Sequence, residues 1–294
     1  MLPGGYISFY PRRAARRCDA ATQRVCLVAI GLAGLLAAIS PTWAWARVSG
    51  VDRLYVLDCG SAHAPDQSHW SPGVNVGKPI EISDNCYLIH HSTGGYILWD
   101  TGIGDEVAAM PNGRKQLLTW FLAKTLVSQL DQIGVKPAQI RFVGISHMHR
   151  DHLGNVSLFP NATLIIQRLD YEAIVSSADP AFNAGQPAQV LTGDKDVFGD
   201  ESVTVLFTPG HTAGHQSLLV HLPKTGWVVL SGDAVHFKDN WDNHRVPADN
   251  VDKEKTLTSM QRIAGILAEH KAQLWINHDA AQSARQKHAP EFYE

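Results

Sequence analysis

Residues 147–152 read His-Met-His-Arg-Asp-His, placing three imidazoles and a carboxylate within six positions. Neutral imidazole is the commonest protein ligand for zinc and similar ions, and carboxylates complete many such sites. The spacing of His147, His149, Asp151 and His152 can therefore supply two adjacent metal positions. The chain holds 15 histidines, so a polar surface loop that happens to be His-rich is the plain alternative. Three further segments argue against it. His211 in Thr208-Pro-Gly-His211-Thr-Ala-Gly-His215, Asp233 in Leu230-Ser-Gly-Asp233 and His278 in Leu274-Trp-Ile-Asn-His278 each stand where an apolar, strand-like run stops. In layered α/β folds, ligands gather at such strand ends.

The elements that must carry these donors alternate along the chain. Strand-like runs cover 53–59, 85–89, 96–99, 140–145, 163–167, 203–207, 217–221 and 227–230. A helix is expected over 115–133, where Leu117, Leu118, Phe121, Leu122, Leu126 and Leu130 recur at three- and four-residue spacing. Gly134 is a plausible stop for it, with Pro137 beyond. Residues 170–178 read as helical or irregular. A last helix over 253–270 carries Leu257, Met260, Ile263, Ala264 and Leu267 on one face. Two sheets covered by helices suit this order.

The first 46 residues have the form of a secretory signal. Arg12, Arg13, Arg16, Arg17 and Arg24 make a basic region, 25–39 is apolar, and Ala44-Trp-Ala46 is a small-x-small cleavage site. That apolar stretch is short for a membrane span, so the expectation is export to the periplasm or medium, with no membrane attachment after cleavage. A retained N-terminal anchor is the alternative. Cleavage would leave 47–294 as one catalytic domain and shift the net charge from −3 to −7, with 20 basic against 27 acidic residues. A mildly acidic surface does not suggest nucleic acid as a partner. Of four cysteines, Cys18 and Cys26 fall in the signal, leaving Cys59 and Cys86 in strand-like stretches that could pair as neighbours. Export would permit a disulfide. Two buried thiols are the preferred expectation, because strand position alone does not make two Cβ atoms face each other.

The ordered set of His-x-His-x-Asp-His followed by a distant His, Asp and His resembles the hallmark of the metallo-β-lactamase superfamily, over most of the chain after residue 50. The resemblance implies an α/β fold, a four-layer αββα sandwich with two divalent metals at one edge. His147, His149 and His211 would hold one metal, Asp151, His152 and His278 the other, and Asp233 would bridge them. Zinc is the default, although iron, manganese or cobalt suit the same donors. Two such metals can share a bridging hydroxide and polarise a substrate oxygen, which makes a hydrolase. Asp151 could also orient the hydroxide and protonate the leaving oxygen. Asp100, ending the 96–99 strand, is similar to the family carboxylate that steadies a metal-binding histidine. His215 reads as such a support or as a structural histidine. His63, His69, His90, His91, His221, His244, His270 and His288 have no ligand-like spacing and read as surface or structural residues.

Within the superfamily, Asp233 and His278 without a nearby cysteine disfavour a β-lactamase, and the 16 residues after His278 leave no room for the helical domain usual in glyoxalase II. The stretch from Ser231 to Pro247 is most similar to the N-acyl homoserine lactonase branch and its organophosphate-hydrolysing relatives. The implied function is quorum quenching: opening of the ring of an acylated lactone. In many lactonases a Tyr three residues after the bridging Asp donates to the substrate carbonyl. Here that position is His236, which can donate to the same oxygen, and the departure leaves lactone preference open. The acyl tail needs an apolar groove, for which Trp70, Trp120, Phe121, Phe182 and Trp241 are candidates, with ordinary packing as the alternative for each. Phosphotriester or other ester hydrolysis, or metal binding without catalysis, remain the competing functions. Relatives of this kind are often dimers, so a homodimer is carried as an expectation.

Overall fold

The computed structural model describes residues 50–179, 182 and 185–294, so the readings made on 1–46, the signal with Cys18 and Cys26 included, lie outside the described residues. The strands run in chain order as β1 (Val51–Ala64), β2 (Ile80–His91), β3 (Gly95–Trp99), β4 (Arg114–Lys115), β5 (Thr119–Phe121), β6 (Ile140–Gly144), β7 (Thr163–Gln167), β8 (Ala188–Leu191), β9 (Lys195–Asp196), β10 (Val203–Phe207), β11 (Gln216–Leu222), β12 (Gly226–Leu230) and β13 (Gln273–Trp275). The helices are α1 (Leu126–Gln132), α2 (Arg150–Leu153), α3 (Arg168–Ser177), α4 (Lys238–Asn243), α5 (Lys253–His270) and α6 (Ala280–Ser283). Among the described residues no helix is long and apolar enough to cross a membrane.

Two sheets form, with strand orders β4-β5-β1-β2-β3-β6-β7-β8 and β13-β12-β11-β10-β9. Their facing surfaces follow from period-2 alternation. Leu54, Val56, Tyr87, Ile89, Ile97 and Trp99 point from the first sheet into a buried layer shared with Val203, Val205, Leu218, Val220, Val228 and Leu230 of the second. The alternate residues Leu57, Cys59, Cys86 and Leu88 pack outward under Leu126, Leu130 and Ile174 of α1 and α3. On the far side Leu206, Leu219 and Val229 meet Ile263 and Leu267 of α5. The result is the four-layer αββα sandwich.

Helix α5 occupies the expected span. Asp252 caps it, accepting from the Lys255 N–H at 3.0 Å. The expected helix over 115–133 forms only in its last third, as α1. Leu118, Trp120 and Leu122 are buried while Leu117 and Phe121 are 66% and 40% exposed, which is strand alternation rather than a helical stripe. The run 119–121 pairs antiparallel with β1, matching Ala62 with Trp120, and Thr125 then starts the helix by accepting from the Ser128 N–H.

Cys59 and Cys86 form a disulfide, contrary to the preference for free thiols. Strand register pairs Cys86 with Leu57, and a bulge between Asp58 and Gly60 brings Cys59 across, with the two Cα atoms 5.7 Å apart. The bond closes a loop of sequence separation 27. Chain entropy predicts that Cys59→Ala with Cys86→Ala costs about 3–4 kcal/mol of unfolding free energy. Urea denaturation of the oxidised, reduced and doubly substituted proteins should place the last two together, below the first.

Candidate metal centre

Every donor singled out in the sequence sits just past a strand end. Asp100 follows β3, His147 follows β6, His211 follows β10, Asp233 lies in the short turn after β12, and His278 follows β13. Strands β3, β6 and β7 are mutually parallel, as are β12 and β13, so these carboxyl ends open on the same edge. His149 precedes α2, while Asp151 and His152 lie on its only turn.

Asp233 is the centre. Its Oδ1 lies 3.0 Å from His278 Nε2 and 3.2 Å from His152 Nε2, while its Oδ2 lies 3.3 Å from His211 Nε2 and 3.6 Å from His147 Nε2. His149 Nδ1 is 3.1 Å from His211 Nε2. Asp151 Oδ2 approaches His278 Nε2 at 3.7 Å and His152 Nε2 at 3.8 Å. Three overlapping groups emerge among the described residues, His147/His149/His211/Asp233, Asp151/His152/His278 and Asp233/His236/His278, each with donor atoms within 4.8 Å of one another. All seven residues expected as ligands are thus brought together.

The outer nitrogen of most of these rings is held, which fixes the lone pair of the inner one. His152 Nδ1 donates to Asp100 Oδ2 at 2.9 Å, His211 Nδ1 to Asn250 Oδ1 at 2.9 Å, and His278 Nδ1 to the Ser83 carbonyl at 2.7 Å. Asp100 itself has φ +59° and also accepts from the Ser146 N–H at 2.6 Å. Gly102, two residues on, has φ +66°, and a Cβ there would come within 2.4 Å of Cys59 Cβ. The disulfide therefore abuts the turn that aims Asp100. His147 Nε2, His152 Nε2 and Asp233 Oδ1 are buried without a hydrogen-bond partner. Orphaned donors are costly unless a cation meets them, and nitrogen and carboxylate donors in this arrangement fit divalent metals.

The electrostatics agree. Burial and the neighbouring rings hold His147 and His211 below the usual imidazole range, in the neutral form a metal needs. Burial opposes charge on His278, but the Asp233 carboxylate outweighs it and pushes that ring up to about 9. Burial also opposes the charge of Asp233, and His278, His236, His152 and His147 together hold it well below the carboxylate range. A buried carboxylate ringed by imidazoles, some of them drawn to bind protons, is a place short of positive charge.

His215 is a support and not a donor to this centre. Its Nδ1 donates to the Thr208 carbonyl and its Nε2 accepts the Asp233 N–H, each at 2.9 Å, and burial lowers its pKa to about 3. His236 turns inward too, its Nε2 3.0 Å from Asp233 Oδ2 and its ring stacked on His278.

Three residues escaped the sequence reading. Asn250 holds His211. Asp170 is buried in α3 and accepts from the Met148 N–H at 3.0 Å, the Thr212 hydroxyl at 2.6 Å and the Gly214 N–H at 2.6 Å, tying the His147–His149 segment to the His211 loop. Gly214 has no alternative, since a Cβ would stand 2.6 Å from the Asp170 N. His69, read as surface or structural, lines the cavity beside the centre. That cavity, about 180 Å³, is walled by Trp70, Ile82, Leu118 and Trp120 and floored by His149, Asp151, His211, Asp233, His236 and His278. Of the five aromatics suggested for a tail groove, only Trp70 and Trp120 reach it. Phe121 is exposed, Phe182 packs on Tyr171, and Trp241 lies against the α5 side of the second sheet.

An αββα sandwich that gathers these imidazoles and carboxylates at one sheet edge is the architecture of a metal-dependent hydrolase. The family model described as Metallo-beta-lactamase superfamily matches residues 81–269, and the chain belongs to that superfamily. It is 34% identical over 263 residues to the N-acyl homoserine lactonase AttM of Rhizobium radiobacter, covering 82% of this chain and 98% of the relative. It is 32% identical over 252 residues to an N-acyl homoserine lactonase of a Bacillus species, covering 82% and 99%. Among solved structures, a quorum-quenching N-acyl homoserine lactone hydrolase matches with TM-score 0.72 and 29% identity over 83% of this chain and 98% of that one. Another, with the product N-hexanoyl-L-homoserine bound at its catalytic metal center, matches with TM-score 0.71 and 27% identity, covering 83% and 99%.

Asp170→Ala would leave two backbone N–H groups and a hydroxyl without their acceptor. It is expected to weaken metal binding by about 10- to 100-fold through the His147/His149/His211 group. Chelator competition measures this, and unchanged affinity would reduce Asp170 to a packing residue.

Proposed function

We propose that this chain opens the ring of N-acyl homoserine lactones, using two divalent metals, zinc by default. The observation that carries the reading is the set of buried, unpartnered His147, His152 and Asp233 atoms, gathered behind a small cavity that Asp233 itself lines and that Trp70, Ile82, Leu118 and Trp120 help to wall. That cavity suits a polar head at the metals and an alkyl tail against Trp70, Leu118 and Trp120. The relatives named for this activity align with 82% and 83% of the chain.

His147, His149 and His211 would hold one ion and Asp151, His152 and His278 the other, with Asp233 between them. Two ions so held lower the pKa of water toward neutrality and polarise an ester carbonyl. The chain's own residues do the rest. His215 and Asp100 keep Asp233 and His152 aimed. His236, whose Nε2 faces the centre, donates to the carbonyl oxygen as negative charge develops there. Asp151, 21% exposed and on the cavity floor, carries a proton from the attacking water to the ring oxygen. The carbonyl carbon gains a hydroxyl, the ring C–O bond breaks, and the freed oxygen takes the proton, giving an N-acyl homoserine. Export is part of the proposal: the form of residues 1–46 and the Cys59–Cys86 disulfide both suit an oxidising compartment. A homodimer is the assembly we expect, checked by light scattering.

The deciding experiment measures hydrolysis of short- and long-chain N-acyl homoserine lactones, a β-lactam and a phosphotriester, with metal content determined on the same sample. Preference for the triester would replace this reading with a phosphotriesterase one. His149→Ala and Asp233→Ala should lose metal and activity together. Asp151→Asn should keep part of its metal and lose about 100-fold or more in kcat. His236→Phe should keep its metal and lose about 100-fold in kcat/KM for lactones. Unchanged kinetics in that last variant would remove His236 from the carbonyl.

A further inference from the structure

The cavity wall carries a polar band that the ring-opening chemistry leaves unused. Beside His149 and His211 stand His69, Gln116 and Asp249, while the rest of that wall is apolar. A second pocket, of about 340 Å³, shares His69, Trp70, Leu117 and Leu118 with the first and is otherwise lined by Pro65, Asp66, Ser68 and Ala248. The two pockets thus adjoin along His69, Trp70, Leu117 and Leu118, and Asp249 of the first is followed in the chain by Asn250, which holds His211.

His69 and Asp249 come from distant segments and are held as a pair. His69 Nε2 lies 3.3 Å from Asp249 Oδ2, and the ring stands edge-on to Trp70 with centroids 4.8 Å apart. The Ala248 N–H donates to the His69 carbonyl at 2.8 Å, and Asn240 Nδ2 donates to the Trp70 carbonyl at 2.7 Å. On the other side of Asp249, Asn250 accepts from His211, and the Val251 N–H donates to the His211 carbonyl at 3.2 Å. The segment bearing Asp249 is therefore registered against a proposed metal ligand. With side chains 28% and 53% exposed, the pair contributes little to folding, so stability alone does not account for it.

We infer that His69 and Asp249 form an amide clamp that selects acylamino lactones over plain alkyl lactones, an inference that rests on the lactonase reading above. An N-acyl homoserine lactone carries an amide on the carbon next to the ring carbonyl, followed by the alkyl tail. With the carbonyl at the metals, the amide falls by Asp249 and His69 and the tail along Trp70, Leu117 and Leu118. The Asp249 carboxylate accepts the amide N–H, and His69, with its Nε2 3.3 Å from Asp249 Oδ2, holds that carboxylate in place. An amide entering this wall gives up its water, and only partners there make good the loss. An alkyl lactone offers the pair nothing to bind.

The test compares kcat/KM for N-hexanoyl homoserine lactone and for a γ-lactone bearing a six-carbon alkyl chain, in wild type, His69→Phe and Asp249→Ala, with metal content measured in each. The clamp predicts that each variant loses about 3- to 10-fold on the amide substrate, keeps its alkyl-lactone rate within about twofold, and retains its metal. Equal losses on both substrates, or no loss on either, would overturn it while leaving the lactonase reading intact. A wild-type protein that opens no homoserine lactone would sink both.

Discussion

The structure is organised around one buried carboxylate. Asp233 sits with His147, His152, His211, His236 and His278 facing it, and its own N–H is taken up by His215. Such an anion is tolerated in an apolar interior only because positive charge is supplied around it. His152, His211 and His278 answer that need with rings whose far nitrogens are already held, so the near ones point inward. Losing the tautomer at one ring would turn a lone pair into an N–H and remove a donor, which is why Asp100, Asn250 and the Ser83 carbonyl matter as much as the rings they hold.

The sandwich exists to bring strand ends to that point. Alternation along β1, β2, β11 and β12 puts one face of each sheet into the shared core and the other under helices, which fixes the sheets face to face. Because β3 and β6 run parallel and β12 and β13 run parallel, loops leaving their carboxyl ends meet at one edge. Asp170 and the Asp100 turn then lock those loops to one another, and the Cys59–Cys86 bond braces the turn from beneath.

Much of this was legible in the sequence because it is local. Strand periodicity, the Asp252-capped α5 and the spacing of His147, His149, Asp151 and His152 are properties of consecutive residues. The failures are tertiary. Leu117, Leu118, Phe121 and Leu122 fit a helical spacing while Leu118, Trp120 and Leu122 fit a strand spacing, and pairing with β1 decides between them. Cys59 reaches Cys86 only through a bulge that no residue type announces. Asp170, Asn250 and His69 lie 22, 39 and 180 residues from the partners that give them meaning, Met148, His211 and Asp249. A capped carboxylate beside a histidine loop offers no local sign of its role, although Asp170 at the start of a helix directly after β7 is the kind of position where such a support belongs.

The metal-ligand candidates and the cavity wall come from different parts of the chain. The donors hang from strand ends fixed by the core, whereas the cavity wall comes from the segments around His69–Trp70, Gln116–Trp120 and Asp249. Those wall segments are held by a few hydrogen bonds, such as Ala248 to His69 and Asn240 to Trp70, and they expose Leu117. Trp70, Ile82, Leu118 and Trp120 of the wall belong to a buried cluster, so only its exposed members, such as Leu117 and Asp249, can change at little packing cost, while changing a donor disturbs Asp233 and the rings around it. The donor cluster is therefore bound to the core, whereas the exposed part of the rim can be altered without touching it.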